Sequence, residues 1–215
     1  MVALQGSLLS AGELAVDRSV VSERIVLGDG AWAELAEGWL TGADMLFGSL
    51  ASDVPWRQGR RWMYERMVDE PRLSRWYRAG SRLPHPMLDE LRRELGRRYG
   101  KGFASVGLNY YRDGRDSVAF HRDRELRYLD DTLVCIVTLG AARPFVLRPL
   151  GGGSWRKLLP GSGDLLVMGG SCQSSWEHAV PKVAGSGPRI SASFRWTSGK
   201  GPVTSPSSGR YRPRS

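Results

Sequence analysis

Leu133-Val134-Cys135-Ile136-Val137-Thr138-Leu139 is the stretch on which the fold turns. It is short, nearly unbroken in apolar character and rich in β-branched residues, so it reads as a buried strand. Cys135 within it reads as a small hydrophobe. Working outward, residues 105–111 form a strand before it. Residues 144–148, 155–159, 164–168 and 189–196 follow as strands, separated by turns such as Gly151-Gly152-Gly153 and Pro160-Gly161. Short strands at regular spacing predict a β-sandwich, jelly roll or barrel.

Helices are expected upstream. Asp29 is placed to cap a helix in which Trp32, Leu35, Ala36, Trp39 and Leu40 fall on one apolar face. A second helix is expected over 86–99, with Pro86 in its first turn and Met87, Leu91, Leu95 and Tyr99 on one stripe. Between them, residues 56–84 mix Arg57, Arg60, Arg61, Arg66, Arg72 and Arg75 with Trp56, Trp62, Trp76 and Tyr77. Pro71, Gly80 and Pro84 break any regular helix there. Such a segment suits phosphates and bases together, or serves as a loop layer whose aromatics plug the edge of the core. The chain divides into a lead-in (1–28), one all-β core domain with flanking helices (29–197) and a disordered basic tail (198–215).

With 31 Lys+Arg against 22 Asp+Glu, the net charge is +9. That is the electrostatic footprint of a polyanion binder, and also of a merely Arg-rich solvated surface. Two cysteines do not make a disulfide framework. No apolar run reaches membrane-spanning length and no signal-peptide pattern stands out, so a soluble, cytoplasmic monomer is the default expectation.

Only three histidines are present, and two are placed for metal chemistry. In an extended segment, His121 and Asp123 of His121-Arg122-Asp123 point the same way. His178 follows a strand and a Gly-rich turn. Two imidazoles and one carboxylate can fill one face of an octahedron and leave the other open, the facial triad of non-haem Fe(II) oxygenases. Zinc competes for the same donors. Arg189 and Arg195 share one face of the last strand. An inward guanidinium there needs an anion, and Arg pairs with carboxylates bidentately. Asn109 and Tyr111 share a face of the first strand and are expected to reach a cosubstrate from the side opposite the arginines.

These motifs together resemble the AlkB family of Fe(II)- and 2-oxoglutarate-dependent dioxygenases. The resemblance covers about residues 60–196. It rests on Asn109-Tyr110-Tyr111-Arg112-Asp113-Gly114, His121-Arg122-Asp123-Arg124-Glu125, Gly163-Asp164-Leu165-Leu166-Val167-Met168-Gly169-Gly170, Trp176-Glu177-His178-Ala179-Val180-Pro181 and Arg189-Ile190-Ser191-Ala192-Ser193-Phe194-Arg195. It implies a double-stranded β-helix (jelly roll) with N-terminal helices and a lid. It implies Fe(II) at His121, Asp123 and His178, with O2 as oxidant. Arg189 would clamp the distal carboxylate of 2-oxoglutarate and Arg195 would lie near its other end. Asn109 and Tyr111, with Ser191 or Ser193 as lesser contacts, would hydrogen-bond it. Glu125 would sit by a flipped base, or else form a surface ion pair with Arg122 or Arg127. Trp76 and Tyr77 are candidates to stack on that base.

The chain departs from the family in the lid. After residues 71–77 the Tyr/Phe-rich hairpin of base-repairing members is shortened or missing. The implied activity is oxidative dealkylation of bases, with nucleic acid (DNA ahead of RNA) as partner, releasing succinate, CO2 and an aldehyde. Two alternatives stand beside it. One is a 2-oxoglutarate oxygenase acting on a protein or small molecule; the other is a non-catalytic metal-binding jelly-roll module.

Overall fold

The structure is a computed structural model, describing residues 12–63 and 65–199. Strands β1 (Ala15–Val16), β2 (Glu23–Gly28), β3 (Ala31–Ala36) and β4 (Leu40–Thr41) precede helix α1 (Ala43–Asp53). Strands β5 (Arg57–Met63) and β6 (Arg66–Tyr77) form a hairpin, followed by helix α2 (Pro86–Tyr99). Strands β7 (Val106–Tyr111), β8 (Val118–His121), β9 (Thr132–Gly140), β10 (Phe145–Pro149), β11 (Arg156–Leu158) and β12 (Leu165–Gly170) come next. A short helix α3 (Cys172–Ser175) leads to β13 (Trp176–Val180), and β14 (Arg189–Thr197) is the last element described.

Two antiparallel sheets face each other. The larger runs β2-β3-β12-β9-β14-β7-β6-β5 and the smaller β11-β10-β13-β8. This is the expected jelly-roll core with helices. It accounts for the unbroken apolar run in β9, because both faces of that strand are covered. Leu133, Cys135, Val137 and Leu139 pack with α1 and α2 in one core. Val134 and Ile136 join Phe145, Leu147 and Trp176 in a second core between the sheets.

Helix α2 forms where expected. The His85 ring accepts a hydrogen bond from the Met87 amide (3.1 Å), Pro86 opens the first turn, and Gly100 ends the helix at φ 64°. Met87, Leu88, Leu91 and Leu95 are its buried stripe. Full burial of each leucine contributes roughly 1.5–3 kcal/mol. His85 is thereby a helix cap.

The helix expected after Asp29 is instead the β2–β3 hairpin. Gly28, Asp29 and Gly30 take positive φ (105°, 51° and 77°), a turn that reverses the chain rather than opening a helix. Apolar residues recur at helix-like spacing because β3 is buried on both faces. Ala31, Ala33 and Leu35 meet the core between the sheets, while Trp32 and Ala36 meet the helix-side core. The lead-in therefore supplies strands, with β2 pairing along β3. Helix α1, unanticipated, buries Ala43, Leu46 and Leu50. The segment 56–84 is no loop layer either: most of it is the β5–β6 hairpin, whose β6 pairs with β7. Residues 71–77 end strand β6, and residues 78–85 connect it to α2. Residues 1–11 and 200–215, and so nearly all of the expected tail, lie outside the described residues. Among the described residues no helix is long and apolar enough to cross a membrane.

Candidate active site

A cavity of about 680 Å3 opens between the sheets, lined from β6, β7, β8, β9, β13 and β14. The alternation of β14 builds its floor. Ile190, Ala192 and Phe194 face the helix-side core, so Arg189, Ser191, Ser193 and Arg195 all face the cavity.

His121 and His178 are direct register partners across the β8–β13 ladder, and their ring centroids lie 4.2 Å apart. Asp123 follows β8, and its Oδ1 is 3.8 Å from His121 Nε2. One donor atom from each of the three lies within 4.8 Å of the others. Two imidazoles and a carboxylate so gathered would hold one divalent ion. His121 Nδ1 donates to the Ala119 carbonyl (2.9 Å), which leaves Nε2 unprotonated for a metal. His178 is buried and stacked on Phe145 at 5.5 Å. Burial, then the neighbouring His121, pushes its pKa down to about 3, so the ring is a neutral ligand.

Burial works against ionisation of Asp123, but the Arg195 guanidinium above all outweighs it and holds the carboxyl below its ordinary pKa. Arg195 Nε donates to Asp123 Oδ2 at 2.6 Å, and the Asp123 amide donates to Gln173 Oε1 at 2.9 Å. Both contacts hold the carboxylate in one orientation. The donor set fits a ferrous ion, and the cavity leaves its far side open.

Arg189 is 1% exposed. Its Nη2 donates to Thr138 Oγ1 (3.1 Å), while Nε and Nη1 have no hydrogen-bond partner among the described residues. Buried guanidinium N–H groups left unpaired are costly, and a carboxylate from the cavity would satisfy them. That fits a dicarboxylate cosubstrate. Asn109 and Tyr111 lie beside Ser191 and Arg189 as register partners on β7 and β14, not on the opposite wall as expected. The reason is topological: the two strands are neighbours in one sheet. Arg72, unforeseen, donates to Asn109 Oδ1 at 3.1 Å and fixes the amide.

Trp76 lies over Gly107 and the Arg195 guanidinium (5.1 Å) on the cavity wall, 45% exposed. A Cβ on Gly107 would fall 2.7 Å from the Trp76 ring, which would have to shift. Tyr77, next on the strand, points the other way and packs on the helix-side core. Glu125 lines the cavity and is exposed. Arg122 is not its partner but donates to the carbonyls of Arg127 and Ser174. Gln173 and Phe145 were not foreseen. Neither carries a sequence signal beyond its place near a motif, since their roles depend on contacts across the sheets.

The profile of the 2OG-Fe(II) oxygenase superfamily matches residues 43–211. The chain is 33% identical over 174 residues to "Alpha-ketoglutarate-dependent dioxygenase alkB homolog 3" of Bos taurus, covering 71% of this chain and 61% of that protein. It is 32% identical over 121 residues to "DNA oxidative demethylase ALKBH2" of Homo sapiens, covering 51% and 46%. This chain thus spans about three fifths of the alkB homolog 3 length and less of ALKBH2. A crystal structure of an oxidoreductase of the 2OG-Fe(II) oxygenase family from Burkholderia pseudomallei superposes with TM-score 0.54 at 16% identity, covering 76% of this chain and 84% of that one, a likeness of fold.

Proposed function

This chain belongs to the 2OG-Fe(II) oxygenase superfamily, and from that premise we propose that it is an AlkB-like dioxygenase that oxidatively dealkylates bases in nucleic acid, DNA ahead of RNA. One observation carries the reading: the His121–Asp123–His178 cluster, the only partly paired Arg189 guanidinium and the half-exposed Trp76 share a single cavity. The two relatives named above support the substrate class.

His121, Asp123 and His178 would hold the iron, with Arg195 and Gln173 steadying Asp123. Arg189 would take the distal carboxylate of 2-oxoglutarate, and Asn109, Tyr111 and Ser191 line the path to it. When bound, Fe(II), 2-oxoglutarate and O2 supply an oxidation that hydroxylates an N-alkyl carbon, with succinate, CO2 and an aldehyde as products. The protein's share is placement. Trp76 offers a flat face to an extruded base, and stacking of this kind is worth ~1–3 kcal/mol per base. Glu125 at the cavity wall can accept a hydrogen bond from an exocyclic amine. Arg57 and Arg66 on the hairpin offer cations to the phosphates.

The test is formaldehyde release from N-methylated oligonucleotides by the iron-reconstituted full chain. Release is expected to need 2-oxoglutarate and to vanish in His121→Ala. Equal release by both proteins would refute the assignment. Turnover of a methylated peptide instead, with no salt-dependent oligonucleotide binding, would move the substrate to protein.

A further inference from the structure

Arg143, in the turn between β9 and β10, has none of its surface exposed, and the reading above gives it no role. Its Nη1 donates to the Asp113 carbonyl (3.0 Å), and its Nη2 to the carbonyls of Asp116 (2.9 Å) and Pro181 (2.6 Å). Its Nε has no partner among the described residues. Every acceptor is a neutral carbonyl, so the charge is solvated but not cancelled. The carboxylates nearest to it are engaged elsewhere: Asp116 by Arg112 at 2.8 Å and Asp113 by Arg115 at 2.8 Å.

Arg189 likewise has no carboxylate partner among the described residues, and both guanidiniums approach one ring. Arg143 lies 5.8 Å and Arg189 5.4 Å from the Tyr111 centroid. Two buried cations with no counter-ion among the described residues therefore lie near Tyr111. Burying like charges together is unfavourable unless an anion joins them. Only Arg189 lines the cavity. Arg143 stands behind it and ties the segment 113–116 to the strand end at Pro181.

We propose that Arg143 is a positioning residue whose charge, added to that of Arg189 across Tyr111, makes this end of the cavity select a 2-oxo diacid over a 2-oxo monoacid. The proposal rests on the 2-oxoglutarate reading above. At an effective dielectric of about 20, a unit charge about 10 Å from a carboxylate changes its binding by roughly tenfold. A strut without electrostatic influence would alter stability and leave the preference between the two acids unchanged.

The test uses the full chain loaded with Mn(II), without oligonucleotide. Calorimetric titration compares 2-oxoglutarate with 2-oxopentanoate, which has the same chain length and lacks the distal carboxylate. In Arg143→Met the diacid-to-monoacid affinity ratio is expected to fall about tenfold, through weaker diacid binding alone. Arg143→Lys, which keeps the charge and loses carbonyl contacts, should retain most of the ratio while unfolding at a lower temperature. Arg143→Gln, neutral but still a donor, decides the matter if the Met variant does not fold. An unchanged ratio in the neutral variants, or a collapsed one in Arg143→Lys, overturns the proposal. A wild-type protein that binds neither acid defeats the underlying cosubstrate reading instead.

Discussion

Replacing Arg189 by Met should separate two effects that usually travel together. In the free protein the guanidinium is 1% exposed, with Nε and Nη1 unpartnered. Each unsatisfied buried donor costs ~1–3 kcal/mol. A Met of similar reach removes that cost and leaves the Thr138 hydroxyl without its donor, a loss of ~1 kcal/mol. Replacing buried charge by apolar volume is often neutral or stabilising by ~1–4 kcal/mol. The net expectation is a gain of ~0–3 kcal/mol. For a chain of this size each kcal/mol moves Tm by about 2–4 °C, so Arg189→Met should melt at the wild-type temperature or several degrees above it.

Cosubstrate affinity should move the other way. Losing the cation opposite a buried carboxylate costs ~3–5 kcal/mol, at least a hundredfold in Kd. Thermal unfolding of the Mn(II)-loaded protein with and without 2-oxoglutarate reads both quantities at once. Wild type should gain stability from the ligand, and the variant should gain none. A variant that melts well below wild type and keeps the full ligand-induced shift would refute the reasoning, because Arg189 would then be a satisfied structural cation.

Other outcomes follow from the same geometry. His178 takes up its proton near pH 3 in the folded protein and near 6.5 when unfolded, so between those values the unfolded chain binds the extra proton. The metal-free protein should lose urea stability as pH falls from about 6.5, and His178→Gln should lack that component. A parallel fall in both proteins would contradict the burial of the ring. Gln173→Leu removes the acceptor of the Asp123 amide, and calorimetry should show Mn(II) binding ~10–100-fold weaker with little change of fold by circular dichroism. Leu91→Ala, fully buried on α2, should cost ~2–5 kcal/mol in denaturant unfolding without moving the metal affinity of the surviving fold.

The functional half of the molecule was more legible in the sequence than the fold's periphery, for physical reasons. His121 and Asp123 on one face and Arg189 and Arg195 on one face follow from the two-residue repeat of a strand, a local rule that needs no partner. Helix α2 was equally local: a cap, a proline, one apolar stripe and a glycine end. Residues 31–40 misled because a strand covered on both sides loses its alternation, and scattered apolar residues can imitate a helical stripe. Only the glycines around Asp29 carried the correction. Helix α1 begins at Gly42 with positive φ and no side-chain cap, so its start left no polar mark. Strands β8 and β13 are short, and the motif residues within them obscured their pattern. That Asn109 and Tyr111 stand beside Arg189 rather than across from it depends on strand order, which no local pattern encodes. Tyr77 turned away for the opposite reason: simple alternation along β6 allows only one of two adjacent aromatics to face the cavity.

The direct pairing of His121 with His178 has a further bearing. Strand β8 is four residues long, stands at the border of the smaller sheet and meets β13 through an irregular register. An ion held by one imidazole from each strand would tie that border together. Loss of the ion would then loosen β8 before the helix-side core. Deuterium uptake at residues 118–121 should report ion occupancy while the amides of β9 and β14 stay protected.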